Sequence, residues 1–275
     1  HAGIELAFIP LDACGLVEEG GWRRLLARCP RAVALSASSN VTGLCNDVPR
    51  LVREAHAAGA VVSVDCAQSA GHLPLDFAAL GADFAAVSAH KMYGPFGIGA
   101  LLVAPGAEAA LHPLLGGGGM IENVDEQGFS CKKAPLCFEA GTPNITGAVG
   151  FAAACRFVSG IGLEAAASHG RALCDRAVGL LSAVDGVRIA GGSELGRRAS
   201  IVSFVLDDVH PHDVAQVLAD RKVAVRAGNH CALPLHRTLG MPATVRASFG
   251  VYSDTSEVDR LAEGVKQAKE VFSRG

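Results

Sequence analysis

Two polar clusters follow directly on short apolar runs. Val64-Asp65-Cys66-Ala67-Gln68 places an acid at the end of one run and an amide three residues on. Ser88-Ala89-His90-Lys91 closes the next run and leads into Met92-Tyr93-Gly94-Pro95. Delivered from neighbouring strand ends, an aspartate and a lysine can take opposite sides of one planar ring. A lysine amine condenses with an aldehyde, and a carboxylate keeps a pyridine nitrogen protonated so that the ring draws electrons; pyridoxal phosphate chemistry needs both. Small or hydroxyl-bearing residues must then approach the phosphate. Singly, each residue has a plainer reading, since a strand-end Asp often caps a turn and a lone Lys is most often solvated. The spacing of the pair carries the argument. Further on, Arg226-Ala227-Gly228-Asn229-His230-Cys231-Ala232 sets a cysteine in a turn-prone polar segment ahead of Leu233-Pro234. Beside His230 and near Arg226, such a cysteine is placed to react as the thiolate, its nucleophilic form.

The elements that must position these residues follow from periodicity. Ala32 to Ala37 reads as a buried strand, followed by a turn at Ser38-Ser39-Asn40 and a helix over about Val48 to Ala58 that Gly59 ends. Strands are expected at Ala60–Val64, Phe84–Ser88 and Gly99–Val103, and Ile4 to Ile9 is also strand-like. Repeated strand–helix–strand units imply a mostly parallel sheet covered on both faces, with chemistry at the carboxyl ends of the strands. Leu111 to Gly147 breaks the pattern into a long Gly-rich and polar loop, of the kind that inside a compact domain is usually functional or disordered. Helical periodicity resumes from about Ile145 to Ala183. The remainder reads as α+β, with strands near Val187–Ile189, Ser200–Leu206, Val223–Arg226 and Thr244–Phe249 and helices at His212–Asp220 and Ser256–Phe272. A large domain over 1–160 and a smaller one over 161–275 are expected.

Composition sets the bounds. Half of the 275 residues are hydrophobic and the formal charge is −3, so there is ample core material and no basic excess to neutralise nucleic-acid phosphates. No apolar run approaches the roughly 20 residues that span a bilayer. The nine cysteines form no CxxC pair and no zinc-ligand spacing, which reads as buried small hydrophobes in a reducing, cytoplasmic setting. Cys231 is singled out by its surroundings alone. Gly116-Gly117-Gly118-Gly119 lacks the form of either common nucleotide-binding loop. The chain opens on His1 and enters an apolar run at once, which reads as a chain lacking its beginning.

Four segments in this order resemble the class V aminotransferase family, and within it the Suf-type (group II) cysteine desulfurases with a short catalytic-cysteine loop. They are Val64–Gln68; Ser88–Lys91 with Tyr93-Gly94-Pro95 and Gly97-Ile98-Gly99; Phe138-Glu139-Ala140-Gly141-Thr142-Pro143-Asn144; and Arg226–Ala232. The resemblance implies the aspartate aminotransferase-like type I fold of pyridoxal-phosphate enzymes, with the chain lacking that family's N-terminal segment. It makes Lys91 the imine-forming lysine, Asp65 the partner of the pyridine nitrogen and Gln68 a donor to the phenolic oxygen. Ser88 and His90 would hold the phosphate, joined by Thr142 from the other subunit of a homodimer. Asn40 would lie near the cofactor and the substrate carboxylate, with Arg246 as the clamp on that carboxylate and Arg226 close by. Cys231, with His230 beside it, would take sulfur as a persulfide. Asn229 stands where many relatives have a second histidine.

The activity so implied converts L-cysteine to L-alanine and passes sulfur to an acceptor protein of iron–sulfur cluster assembly. Lysine and aspartate of this kind also serve selenocysteine lyases and cysteine sulfinate desulfinases. A non-catalytic, truncated relative acting as a scaffold is a further reading, which the joint presence of Lys91, Asp65, Gln68, His90, Cys231 and Arg246 disfavours.

Overall fold

The computed structural model describes residues 3–193 and 195–272. Its first lobe is built on four strands: β1 (Ala32–Ser36), β2 (Val61–Asp65), β3 (Phe84–Ser88) and β4 (Gly99–Val103), hydrogen-bonded in that order. The β1–β2 and β2–β3 pairs are parallel and β3–β4 is antiparallel. Alternation decides the layering. Val33, Leu35, Val62 and Val64 point to one face, where helices α1 (Glu19–Leu26) and α2 (Val48–Ala57) cover them with Trp22, Leu51, Val52 and Ala55. Trp22 Nε1 donates to Glu54 Oε2 at 2.6 Å, so the one tryptophan satisfies its polar atom while filling the core.

The opposite face departs from expectation. The register row Ser36–Asp65–Ala86–Leu101 is exposed, so among the described residues this sheet is covered on one face only. The reason is compositional: β1 and β2 alternate small or polar residues with apolar ones, a half-buried pattern rather than a continuous apolar run. The first apolar stretch, Ile4 to Ile9, also forms no strand, and Ile4 and Phe8 are 82% and 78% exposed. A strand needs a neighbour to receive its backbone bonds, and none flanks this one among the described residues. A short helix, α3 (Phe77–Leu80), capped by Asp76, links β2 to β3.

The long loop expected after β4 holds a hairpin: β5 (Ile121–Asp125) and β6 (Gly128–Cys131), closed by Asp125 Oδ1 accepting from Gln127 and Gly128 N–H. Helices α4 (Ile145–Ile161) and α5 (Leu163–Ser182) divide the expected helical stretch at Gly162, whose φ of +89° turns the chain by 78°. No single helix among the described residues is long and apolar enough to cross a membrane.

The second lobe is an antiparallel sheet in the order β7 (Val187–Ile189), β8 (Ile201–Leu206), β10 (Thr244–Ser248), β9 (Arg226–Gly228). All six positions of β8 are buried. Helices α5, α6 (Pro211–Asp220) and α8 (Thr255–Phe272) supply the rest of this core through Leu173, Leu181, Val214, Leu218, Leu261 and Val265. β9 begins where the expected strand ended, because Val223 and Val225 pack against the core as an extended approach to it. A helix not foreseen, α7 (Leu233–Thr238), opens with Pro234 in its first turn directly after Cys231.

The lobes are joined through residues 40–45. Ala199 N–H bonds the Gly43 carbonyl at 2.8 Å, Ser203 Oγ bonds the Val41 carbonyl at 2.5 Å, and buried Arg198 donates to the carbonyls of Thr42, Ala190 and Gly192. Main-chain carbonyls accept from both Nη groups of the buried guanidinium, and the loop after β1 is thereby pinned to the second sheet.

Candidate active site

Parallel pairing brings the ends of β2 and β3 side by side, with Asp65 opposite Ala86 and Ser88 two residues further along the same face. Asp65 Oδ1 accepts the Ala67 N–H at 2.8 Å, which shapes the turn carrying half-buried Gln68 and keeps the carboxylate at the surface of the open face. After Ser88, a single 3-10 turn over Ala89–Lys91 lifts the chain off the sheet, leaving Lys91 half-buried and His90 exposed. The His90 ring stacks on Phe96, centroids 5.3 Å apart. Gly99 is required where β4 pairs back against Ser88, since a Cβ there would meet the Val87 carbonyl oxygen at 2.5 Å.

The second lobe presents the cysteine turn. His230 and Cys231 both adopt left-handed backbone, φ +51° and +62°, after Gly228 at φ +131°. Each such non-glycine residue costs roughly 1–2 kcal/mol, and three bonds hold the turn against that cost. Asn229 Oδ1 accepts the Cys231 N–H at 3.1 Å, Asn40 Nδ2 donates to the His230 carbonyl at 2.6 Å, and His230 Nε2 meets Thr244 Oγ1 at 2.9 Å. The turn leaves Cys231 exposed.

His230 does not stand beside the thiol, contrary to expectation. Its ring is 2% exposed and faces inward, and burial, with Arg246 adding to it, pushes the imidazole down to about 4. It is neutral at neutral pH, so the positive charge near Cys231 comes from guanidinium groups. Arg246 lies within electrostatic reach of Cys231 and pairs across the sheet with Arg226. Burial, with Arg226 next in weight, lowers Arg246, which stays charged at any ordinary pH. Arg246 Nη1 donates to the Asn40 carbonyl at 2.9 Å, while its buried Nε has no partner among the described residues. A buried, unpaired edge on a guanidinium fits an anion that completes it.

Asn40 therefore touches both Arg246 and the Cys231 turn, and the loop that carries it follows the strand adjoining β2. Asp65, Gln68, Ser88 and Lys91 gather at the neighbouring strand ends. Thr142 is set apart: it is exposed two residues before Asn144, which caps α4 and donates to the Gly97 carbonyl at 3.3 Å. Thr244, which orients His230, was not singled out by sequence; a buried threonine on a strand signals nothing until its partner, fourteen residues away, is placed.

The class-V aminotransferase profile matches residues 1–261. The chain belongs to this family. It is 49% identical over 244 residues to a probable cysteine desulfurase 2 of Mycobacterium leprae, covering 89% of this chain and 58% of that one. The crystal structure of cysteine desulfurase CsdA from Escherichia coli superposes at a TM-score of 0.90 with 39% identity, over 96% of this chain and 65% of that one. The apo structure of a cysteine desulfurase from Thermococcus onnurineus gives a TM-score of 0.93 at 38% identity, over 99% and 67% respectively. The chain thus spans about three-fifths to two-thirds of the length of these relatives. The family's enzymes use pyridoxal phosphate, and the residues present fit that group. A surface carboxylate, an amine and a hydroxyl stand at adjoining strand ends, and the guanidinium of Arg246 holds an unpaired buried edge.

Proposed function

We propose that this chain carries the site of a pyridoxal-phosphate-dependent cysteine desulfurase, converting L-cysteine to L-alanine and leaving the sulfur on Cys231. The observation that carries the reading is the junction at Asn40, which bonds both Arg246 and the strained turn that exposes Cys231, on the loop leaving the strand paired with that of Asp65. Pyridoxal phosphate, once bound, supplies the electron sink for the charge left at Cα. Lys91 Nζ takes the Cα proton and returns one to Cα after the carbon–sulfur bond has broken, and Asp65 would hold the proton on the ring nitrogen. Gln68 donates to the phenolic oxygen, and Ser88 and His90, with Thr142 from a partner subunit, hold the phosphate. Arg246, with Asn40 and Arg226, fixes the substrate carboxylate. Cys231 Sγ forms a bond to the substrate sulfur as the carbon–sulfur bond breaks. The electron pair of that bond goes to Cβ, which is protonated, so L-cysteine and one thiol give L-alanine and one persulfide.

The cofactor-binding lobe spans 1–160 and the small lobe 161–275. A homodimer is supported by Leu114 and Leu115 before the hairpin, Val124 and Phe129 in it, and Ile145 and Val149 at the start of α4, all exposed. All nine cysteines are free, in keeping with a reducing cytoplasm. An acceptor protein serving iron–sulfur assembly would collect the persulfide. The test is alanine release from L-cysteine, with L-selenocysteine and L-cysteine sulfinate as parallel substrates. Release from cysteine that is lost when Cys231 becomes Ser supports the reading. Release that survives the change, or that occurs only with the other two substrates, contradicts it.

A further inference from the structure

Two side chains outside the proposed set bear on Lys91. Gly71 takes a φ of +81°, and a Cβ there would stand 3.2 Å from the Cα of Met92. Glycine lets the turn after Asp65 pack this closely on the residue following Lys91. The approach brings His72 Nε2 to 3.1 Å from the Lys91 carbonyl oxygen. Burial depresses His72, so its ring is neutral at neutral pH. A carbonyl only accepts, which assigns the ring proton to Nε2.

The same imidazole lies 5.7 Å from the ring of Tyr93. Tyr93 holds a left-handed φ of +62°, a conformation that persists in a non-glycine residue only where its surroundings enforce it. Those surroundings come from the other lobe and from α4. The Tyr93 hydroxyl accepts the Val251 N–H at 3.1 Å, and its ring meets Tyr252 and Phe157 edge-on at 6.2 and 5.8 Å. Val251 lies on the segment that leaves β10, the strand of Arg246.

We infer that His72 and Tyr93 are positioning residues for Lys91: His72 fixes the lysine's backbone through its carbonyl, and the Tyr93 hydroxyl ties that turn to the lobe carrying Arg246 and Cys231. The inference rests on the reading of Lys91 given above. Neither side chain touches a reactant. Their work is to hold the amine of one lobe in register with the guanidinium and thiol of the other, where a displacement of about 1 Å lowers a rate by up to roughly a hundredfold.

The test compares His72→Phe, His72→Gln and Tyr93→Phe with the wild-type protein in three readouts. These are hydrogen exchange of the peptides spanning 89–95 and 250–253 without added cofactor, borohydride trapping of pyridoxal phosphate on Lys91 read by peptide mass, and kcat with KM for L-cysteine. His72→Phe is expected to speed exchange over 89–95, slow trapping at Lys91 and lower kcat by roughly tenfold or more, with KM within about twofold. His72→Gln recovers most of each, because its amide N–H reaches the same carbonyl. Tyr93→Phe, which removes one oxygen and keeps the ring, speeds exchange over 250–253 and lowers kcat in the same sense. Trapping and exchange at wild-type levels in all three variants overturn the positioning role alone, as does a Gln variant no better than Phe. A wild-type protein that traps no cofactor on Lys91 overturns the functional reading together with it.

Discussion

Replacing Arg246 with glutamine isolates the carboxylate clamp. One nitrogen of Arg246, Nη1, is committed to the Asn40 carbonyl at 2.9 Å, and its buried Nε is unpaired, so the Nε edge is the one left for a substrate carboxylate. Two charge-assisted hydrogen bonds there contribute about 1.5–3 kcal/mol each. Their loss, at about 1.4 kcal/mol per decade, lowers kcat/KM for L-cysteine by roughly 10²–10⁴. The Asn40 contact is lost as well, which costs about 1 kcal/mol of stability and lowers Tm by a few degrees. Lysine restores the charge without the fork, so Arg246→Lys recovers only part of the activity. The assay is steady-state alanine production over a range of L-cysteine, with Tm measured on the same preparations. A kcat/KM within about threefold of wild type in Arg246→Gln would refute the clamp.

Three further outcomes follow from the same geometry. His230 is held neutral at about 4 against 6.5 unfolded, so its contribution is full above pH 6.5 and stability is lost as pH falls from there toward 4. The loss reaches at most roughly 3 kcal/mol; urea titrations at pH 7 and 4.5 should show a shallower fall in His230→Gln, with the remainder due in part to His72, and equal slopes would contradict the assignment. Thr244→Val removes the partner of the buried His230 ring and should cost about 1–3 kcal/mol, read as a Tm drop of several degrees; an unchanged Tm would show that the ring needs no partner. Val149→Glu on the exposed apolar side of α4 should shift the protein toward monomer in sedimentation at micromolar concentration, and an unaltered mass would move the self-association surface elsewhere.

The strands of the first lobe were legible because their apolar runs are short and end at turn residues; β3 and β4 have the bounds that periodicity gave. The hairpin of β5 and β6 was not, since Glu122, Asn123 and Asp125 give it an exposed polar character that periodicity reads as loop. Ile4 to Ile9 misled in the other direction: apolar alternation signals a capacity for pairing, and pairing needs a neighbour. At the site, residue types and order singled out Asp65, Lys91, Cys231 and Arg246 as candidates. Orientation was beyond reach, because the inward turn of His230 depends on Thr244 and on Asn40, the latter 190 residues away in the chain. Sequence adjacency placed the imidazole beside the thiol, and two left-handed residues turned it away.

The most direct test of the central claim is the visible spectrum of the protein with pyridoxal phosphate, beside a Lys91→Ala variant, followed by addition of L-cysteine and peptide mass analysis of Cys231. The account predicts an absorption band that requires Lys91 and, after L-cysteine, a gain of one sulfur atom on Cys231 with equimolar alanine. A band that persists without Lys91, or alanine formed with no sulfur on Cys231, would contradict it.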